Sequence, residues 1–212
     1  LFAPFEKMAV TAARLEQSLN RIRSLDYSLL YREVLFSDPE HGINQEELMK
    51  EVLPDIILLP GVGARSITWQ ETSGPRTDTP ARILFPIFIT GDLNDQMLLA
   101  MGRYRWEICR RVQGTYWNDY RVKSLTAEYY DYLQFYKKNK DLSADAKDKL
   151  KAALQHARNN FREVFVADYV NWIKYESQGS FRLNKLTRDI LVRYCPFSRE
   201  VRTELNNNPL FQ

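Results

Sequence analysis

Asp55-Ile-Ile-Leu-Leu-Pro-Gly-Val-Gly63, Arg65-Ser-Ile-Thr-Trp-Gln-Glu71 and Ala81-Arg-Ile-Leu-Phe-Pro-Ile-Phe-Ile-Thr90 form the one block that reads as β-strand in an otherwise helical sequence. Ile56 to Leu59 is a continuous apolar run, which suits a strand covered on both faces, whereas Ser66 to Gln70 alternates and suits a strand with one wet face. Pro60-Gly61-Val62-Gly63 between them reads as a hairpin turn. A phosphate-binding loop needs a helix N-terminus directly after its glycines, and the residues that follow here are strand-like. Thr72 to Pro80 is a polar loop, and Ala81 to Ile89 is a third strand in which Pro86 must sit at an edge or a bulge.

On the N-terminal side, Pro4 is placed as a first helical residue, and Phe5, Met8, Ala12, Leu15, Leu19 and Ile22 follow at spacings of three and four. This stripe predicts a bundle helix or a short coiled-coil seam, continued by the apolar Tyr27 to Phe36 until Asp38-Pro39 and His41-Gly42 force a turn. Asn44 then reads as an N-cap with Glu47 reaching back, which predicts a short helix over Gln45–Val52. A calcium loop over Asp38 to Leu48 is rejected, because the register that puts Gly42 sixth lacks the closing Glu.

On the C-terminal side, Asp92 caps a regular helix with Leu93, Met97, Met101, Tyr104, Ile108 and Val112 in one stripe and Gly114 as its stop. Its other side carries Arg103, Arg105, Glu107, Arg110 and Arg111, read as a solvated or ion-paired face. A tyrosine-rich helix from about Leu125 to Lys140 presents aromatic rings on more than one face and is expected to touch neighbours on two sides. Leu142-Ser143 starts the longest helical pattern, running to about Glu176 with a bend at Asn159-Asn160. A further helix holds Leu183 to Tyr194, and Ser198 caps a short one before a polar tail.

Composition places these elements in an ordinary globular protein: 44% hydrophobic and 27% charged residues over 212 positions. The 30 basic and 27 acidic residues nearly balance, which disfavours a dedicated nucleic-acid binder. No apolar run reaches the roughly 18 residues of a membrane span, and the N-terminus lacks signal-peptide order. Cys109 and Cys195 each lie in an apolar helical pattern and read as reduced core residues of a cytoplasmic protein, with a disulfide between them left open. The chain begins with Leu rather than Met, which fits a piece of something longer.

Chemistry is mostly refused. His41 and His156 have no second ligand nearby and the cysteines form no Cys-x-x-Cys pair, so no metal or cofactor is expected. No Ser lies in a nucleophile-elbow pattern, and Cys109, although next to Arg110 and Arg111, has apolar neighbours. The residues singled out for ligand binding are Trp69, Glu71, Arg76, Arg82, Arg103 and Glu107, where the β block meets the 92–113 helix.

Trp69-Gln70-Glu71, Thr79-Pro80-Ala81-Arg82, Trp106-Glu107, Trp117-Asn118-Asp119, Leu142-Ser143-Ala144-Asp145-Ala146-Lys147, Leu183-Asn184-Lys185 and Tyr194-Cys195-Pro196-Phe197 carry a resemblance. Over roughly Leu53 to Ser198 the chain resembles an uncharacterised bacterial segment found in larger proteins that sometimes carry a cyclic-nucleotide-binding domain. The resemblance implies a companion part, since the nucleotide-binding cassette itself is absent from this sequence.

The expected fold is α+β, mainly α: five to seven helices with a small β-hairpin or three-stranded sheet at about 55–90. The expected organisation is an N-terminal helical arm at 1–36, a single helical domain at 37–198 and a C-terminal tail at 199–212. The leading functional expectation is a non-catalytic protein-interaction or assembly module of a larger bacterial protein. Its partner would be another protein or the rest of the parent chain, with homo-oligomerisation through the N-terminal helix as one route. A small-ligand or enzymatic site between the β block and the 92–113 helix is the second expectation, and nucleic-acid binding through Arg103, Arg105, Arg110, Arg111 and Arg121 is the third.

Overall fold

The computed structural model describes residues 3–69 and 81–207. The fold is α+β and mainly α, with eight α-helices and two small sheets among the described residues. Its axis is α3 (Leu93–Gln113), which starts where the Asp92 side chain accepts from the amides of Asn94 and Asp95 and stops at Gly114, whose φ of 56° suits a residue without Cβ. Met97, Ala100, Met101 and Tyr104 on this helix are fully buried.

The sheet beside it has strand order β3-β5-β4, from β3 (Asp55–Gly63), β4 (Ile67–Trp69) and β5 (Arg82–Ile89). β3 runs parallel to β5 and β4 antiparallel to it. Pro60-Gly61-Val62-Gly63 is therefore not a hairpin turn. It lies inside β3, at a bulge between Leu59 and Val62, and the chain crosses to the far edge over Ala64–Ser66. The strand covered on its faces is β5, where Ile83, Phe85 and Ile89 are buried, while Ile57, Leu58, Leu59 and Val62 of β3 are exposed. An apolar run alone does not say which strand will take the centre. β5 takes it because its alternate residues meet the helical core, and Pro86 is tolerated there opposite the bulge, beyond the reach of β4, whose pairing ends at Leu84. Past that point Val10 donates its amide to the Ile87 carbonyl at 2.8 Å, so the N-terminal chain extends the sheet.

A second sheet was not expected. β1 (Tyr31–Asp38) and β2 (Ile43–Glu51) form an antiparallel hairpin with Tyr31 opposite Glu51 and Phe36 opposite Glu46. The helix read over Gln45–Val52 is thus a strand, and the N-terminal helical reading ends well before Phe36. The local capping signal at Asn44 loses to a ladder that pairs two segments across the turn at Pro39–His41, which Gly42 closes at φ 75°. The N-terminal stripe is also two helices, α1 (Ala3–Met8) and α2 (Ala12–Leu25), with Thr11 capping the second. Leu15 and Ile22 of α2 are buried and Ser18 donates to Asn94 of α3 at 2.7 Å.

Beyond α3 lie α4 (Leu125–Phe135), α5 (Ala144–His156), α6 (Phe161–Lys174), α7 (Lys185–Tyr194) and α8 (Arg199–Asn206). The tyrosine-rich α4 packs on α3, α6 and α7, as its two-sided ring pattern requires. The long pattern from Leu142 is broken rather than bent: Arg158 and Asn159 both take positive φ, and Asn160 caps α6 at the Glu163 amide. α3 and α6 approach closely at Gly102, where an added Cβ would stand 3.2 Å from the Tyr169 ring. Trp172 stacks on Phe197 with centroids 4.0 Å apart and donates its indole N–H to the Cys195 carbonyl, fixing the chain that leads into α8.

Candidate functional site

Of the six residues singled out from sequence, the four described ones fall in two places. Trp69 on β4 and Arg82 on β5 are cross-strand partners, and the guanidinium lies 5.6 Å from the indole centroid on the surface of the sheet. Glu71 and Arg76 lie outside the described residues. Arg103 and Glu107 are one turn apart on α3, on the side facing α6.

These last two belong to one line of charges. Arg103 holds Glu163 in a fork, with Nε at 3.1 Å and Nη2 at 2.8 Å from its oxygens. Arg162 bridges Glu163 to Glu107, donating at 3.1 Å and 2.8 Å, and Arg110 reaches Glu107 from the other side at 3.3 Å. Burial pulls against the charge of Glu163, and the Arg103 and Arg162 guanidiniums outweigh it, holding this carboxyl below its ordinary range. The face read as solvated or ion-paired is ion-paired and in part interior, with Arg105 and Glu107 buried. The reason is that α3 is surrounded: its stripe meets the sheet and its opposite side meets α6 and the chain after α7.

At the Glu107 end the line opens into a cleft of about 410 Å³ between α3, α4 and the α5–α6 junction. Its walls are rings: Trp117 and Tyr130 meet edge-on at 5.5 Å, Tyr130 lies 4.9 Å from Phe161, and the Arg110 guanidinium covers Trp117 at 4.7 Å. Sequence reading missed this cleft. The available signal was Asn159-Asn160 followed by Phe161-Arg162-Glu163, where a helix break delivers a ring and an ion pair to α3. With Glu107 engaged by two arginines, its lone pairs are committed to ion pairing rather than to acid–base chemistry.

The second exposed feature is the outer edge of β3. Among the described residues no strand pairs with it, and the segment Asp55 to Leu59 presents regular backbone before Pro60 and the bulge interrupt it. Ile57, Leu58 and Leu59 stand beside that edge at 37–43% exposure, and Val62 beyond the bulge at 59%. Such edges receive extended segments of other chains, and a proline and bulge at one end limit how far the pairing extends.

Residues 114–212 match a family described as a domain of unknown function (DUF8509). The match begins at the glycine that ends α3 and takes in α4 to α8, so Trp117, Tyr130, Phe161 and Arg162 of the cleft lie within it while Trp106, Glu107 and Arg110 lie before it. Trp117-Asn118-Asp119, Leu142 to Lys147, Leu183-Asn184-Lys185 and Tyr194 to Phe197, which carry the bacterial resemblance, are inside the match; Trp69 to Glu71, Thr79 to Arg82 and Trp106-Glu107 are outside it. The family description names no cyclic-nucleotide-binding domain and no parent protein. No curated protein and no solved structure matches the chain.

Proposed function

We propose that this protein is a non-catalytic interaction module that receives an extended segment of a partner protein along the outer edge of β3. The observation that carries this reading is the unpaired edge from Asp55 to Leu59, flanked by exposed Ile57, Leu58 and Leu59. Backbone amides and carbonyls along the edge supply the pairing, and the apolar side chains on either face supply pockets for alternate residues of the incoming strand. The stripe of α2 packs on α3 within the chain, while Ile57, Leu58, Leu59 and Val62 of β3 stay open to a partner. Among the described residues no helix is long and apolar enough to cross a membrane. Cys195 is buried and outside any disulfide, which fits a protein of the bacterial cytoplasm, and the partner is either a separate protein or the remainder of a larger one.

The test is affinity capture with the intact chain beside a Leu58→Lys/Leu59→Lys variant, followed by amide hydrogen exchange on the recovered complex. The expected result is a partner lost on the lysine variant, with exchange slowed at residues 55–59 in the complex. Capture that survives both lysines, or a strict monomer that retains nothing, would sink the reading.

A further inference from the structure

On the opposite side of α3 from the cleft lies a pocket of about 310 Å³ with a different chemistry. Arg32 of β1, Arg105 of α3, Lys123 and Arg193 all line it. None of its lining residues is an aspartate or glutamate.

The four cations are not equally compensated. Arg193 is ion-paired with Glu128. Arg105 lies 3.8 Å from Asp26, a distance that gives attraction without a hydrogen bond. Among the described residues no carboxylate forms an ion pair with Arg32 or Lys123, so the pocket carries an excess of two positive charges.

Hydrogen-bonding capacity points the same way. Arg105 is 7% exposed, and its Nη2 is spent on the Ser28 hydroxyl and the Tyr194 carbonyl. Its Nη1 has no hydrogen-bond partner, nor has the buried Nε of Arg32. Of the four buried side-chain atoms left without a partner among the described residues, two are guanidinium nitrogens of this one pocket, whereas those elsewhere stand singly. Buried N–H groups of this kind are almost always matched with an acceptor. The rim adds Tyr27 and Tyr31, both exposed and both able to lie flat against a planar group.

We propose that this pocket binds a small dianionic ligand, a phosphomonoester carried on a planar ring, with its phosphate held by the cations of Arg32, Arg105 and Lys123 and its ring against Tyr27 and Tyr31. Two excess charges match a dianion, and the guanidinium forks match the geometry of phosphate oxygens. The site is independent of the β3 edge, so either reading stands if the other falls.

The experiment is calorimetric titration of the intact chain at low ionic strength with phenyl phosphate and with inorganic phosphate. Phenyl phosphate is expected to bind saturably at one site and more tightly than inorganic phosphate. Arg32→Gln and Lys123→Gln, at half-buried and exposed positions where folding is not at stake, are each expected to weaken it by about tenfold, the loss of one charge-assisted contact. Lys149→Gln, on the exposed face of α5, is expected to change nothing. Absence of saturable binding by either probe, equal affinity for both, or affinity unchanged in both pocket variants overturns the proposal.

Discussion

The Tyr169 hydroxyl donates to Asp26 at 2.8 Å, joining residues 143 positions apart in the sequence. Asp26 is fully buried just past the end of α2, and it also accepts from the amide and hydroxyl of Ser28, with Arg105 beside it. Burial works against the Arg105 charge and Asp26 more than offsets it, so the guanidinium stays charged. One carboxylate thereby ties the chain after α2 to α3 and α6, and through Arg105 to the end of α7.

Removing the pieces of this network should have graded effects. Tyr169→Phe leaves Asp26 one donor short and should cost about 1–3 kcal/mol of stability. Asp26→Ala leaves a buried guanidinium without its counter-ion and should cost about 3–5 kcal/mol. Denaturant midpoints with an unchanged slope would read both. A Tyr169→Phe protein as stable as the parent would mean that the carboxylate is satisfied from elsewhere.

Asp168 on α6 should make stability pH-dependent. Burial pushes its carboxyl up to about 6, and the hydroxyl that Tyr129 donates to it only partly reverses this. An acid whose pKa is higher folded than unfolded binds more protons in the folded state between the two values. The folded state is therefore favoured as pH falls through 6 toward 4, and this contribution is lost as pH rises through about 6. A two-unit shift corresponds to about 3 kcal/mol, and because Asp168 keeps some solvent exposure the realised effect should be smaller. Asp168→Asn keeps an acceptor for Tyr129 and should be more stable than the parent at pH 8 but not at pH 4. Parallel pH–stability curves for the two proteins would remove Asp168 as the source.

What the sequence made legible was the chemistry that acts within one turn of chain. Asp92 and Ser143 cap the helices that follow them, and the stripe from Leu93 to Ile108 faces the core. What it hid was set by pairing at a distance. Asn44 carries a sound capping pattern, yet residues 43–51 are held by residues 31–38 as a strand. Ile56 to Leu59 has the composition of a central strand and forms an edge, because β5 meets the helices first. Arg103 and Glu107 were legible as charged residues of α3, but their partners Glu163 and Arg162 lie about 55–60 residues away, and no local pattern joins them.

The break between α5 and α6 gives a last expectation. Arg158 and Asn159 sit at φ 52° and 58°, a conformation that costs a residue with a Cβ about 1–2 kcal/mol unless, like Asn, it bonds locally. The turn holds because the amides of Arg158, Asn159 and Asn160 donate to the carbonyls of Gln155, Leu154 and Ala157, and Asn160 then caps α6. Arg158→Gly removes the steric cost and adds unfolded-chain entropy of about 0.5–1 kcal/mol, so it should leave stability unchanged or raise it by up to about 1 kcal/mol. Asn159→Val puts a β-branched residue where only Gly or Asn is comfortable and should lower the melting temperature by about 2–8 °C, the shift that 1–2 kcal/mol produces in a chain of this size. Because this turn sets Asn159, Asn160 and Phe161 around the cleft, the same valine should also alter the fluorescence of Trp117, whose ring meets Tyr130 beside Phe161. A valine variant with unchanged melting and unchanged fluorescence would show that the turn tolerates a β-branched residue at 159 and that its geometry is not held by Asn159.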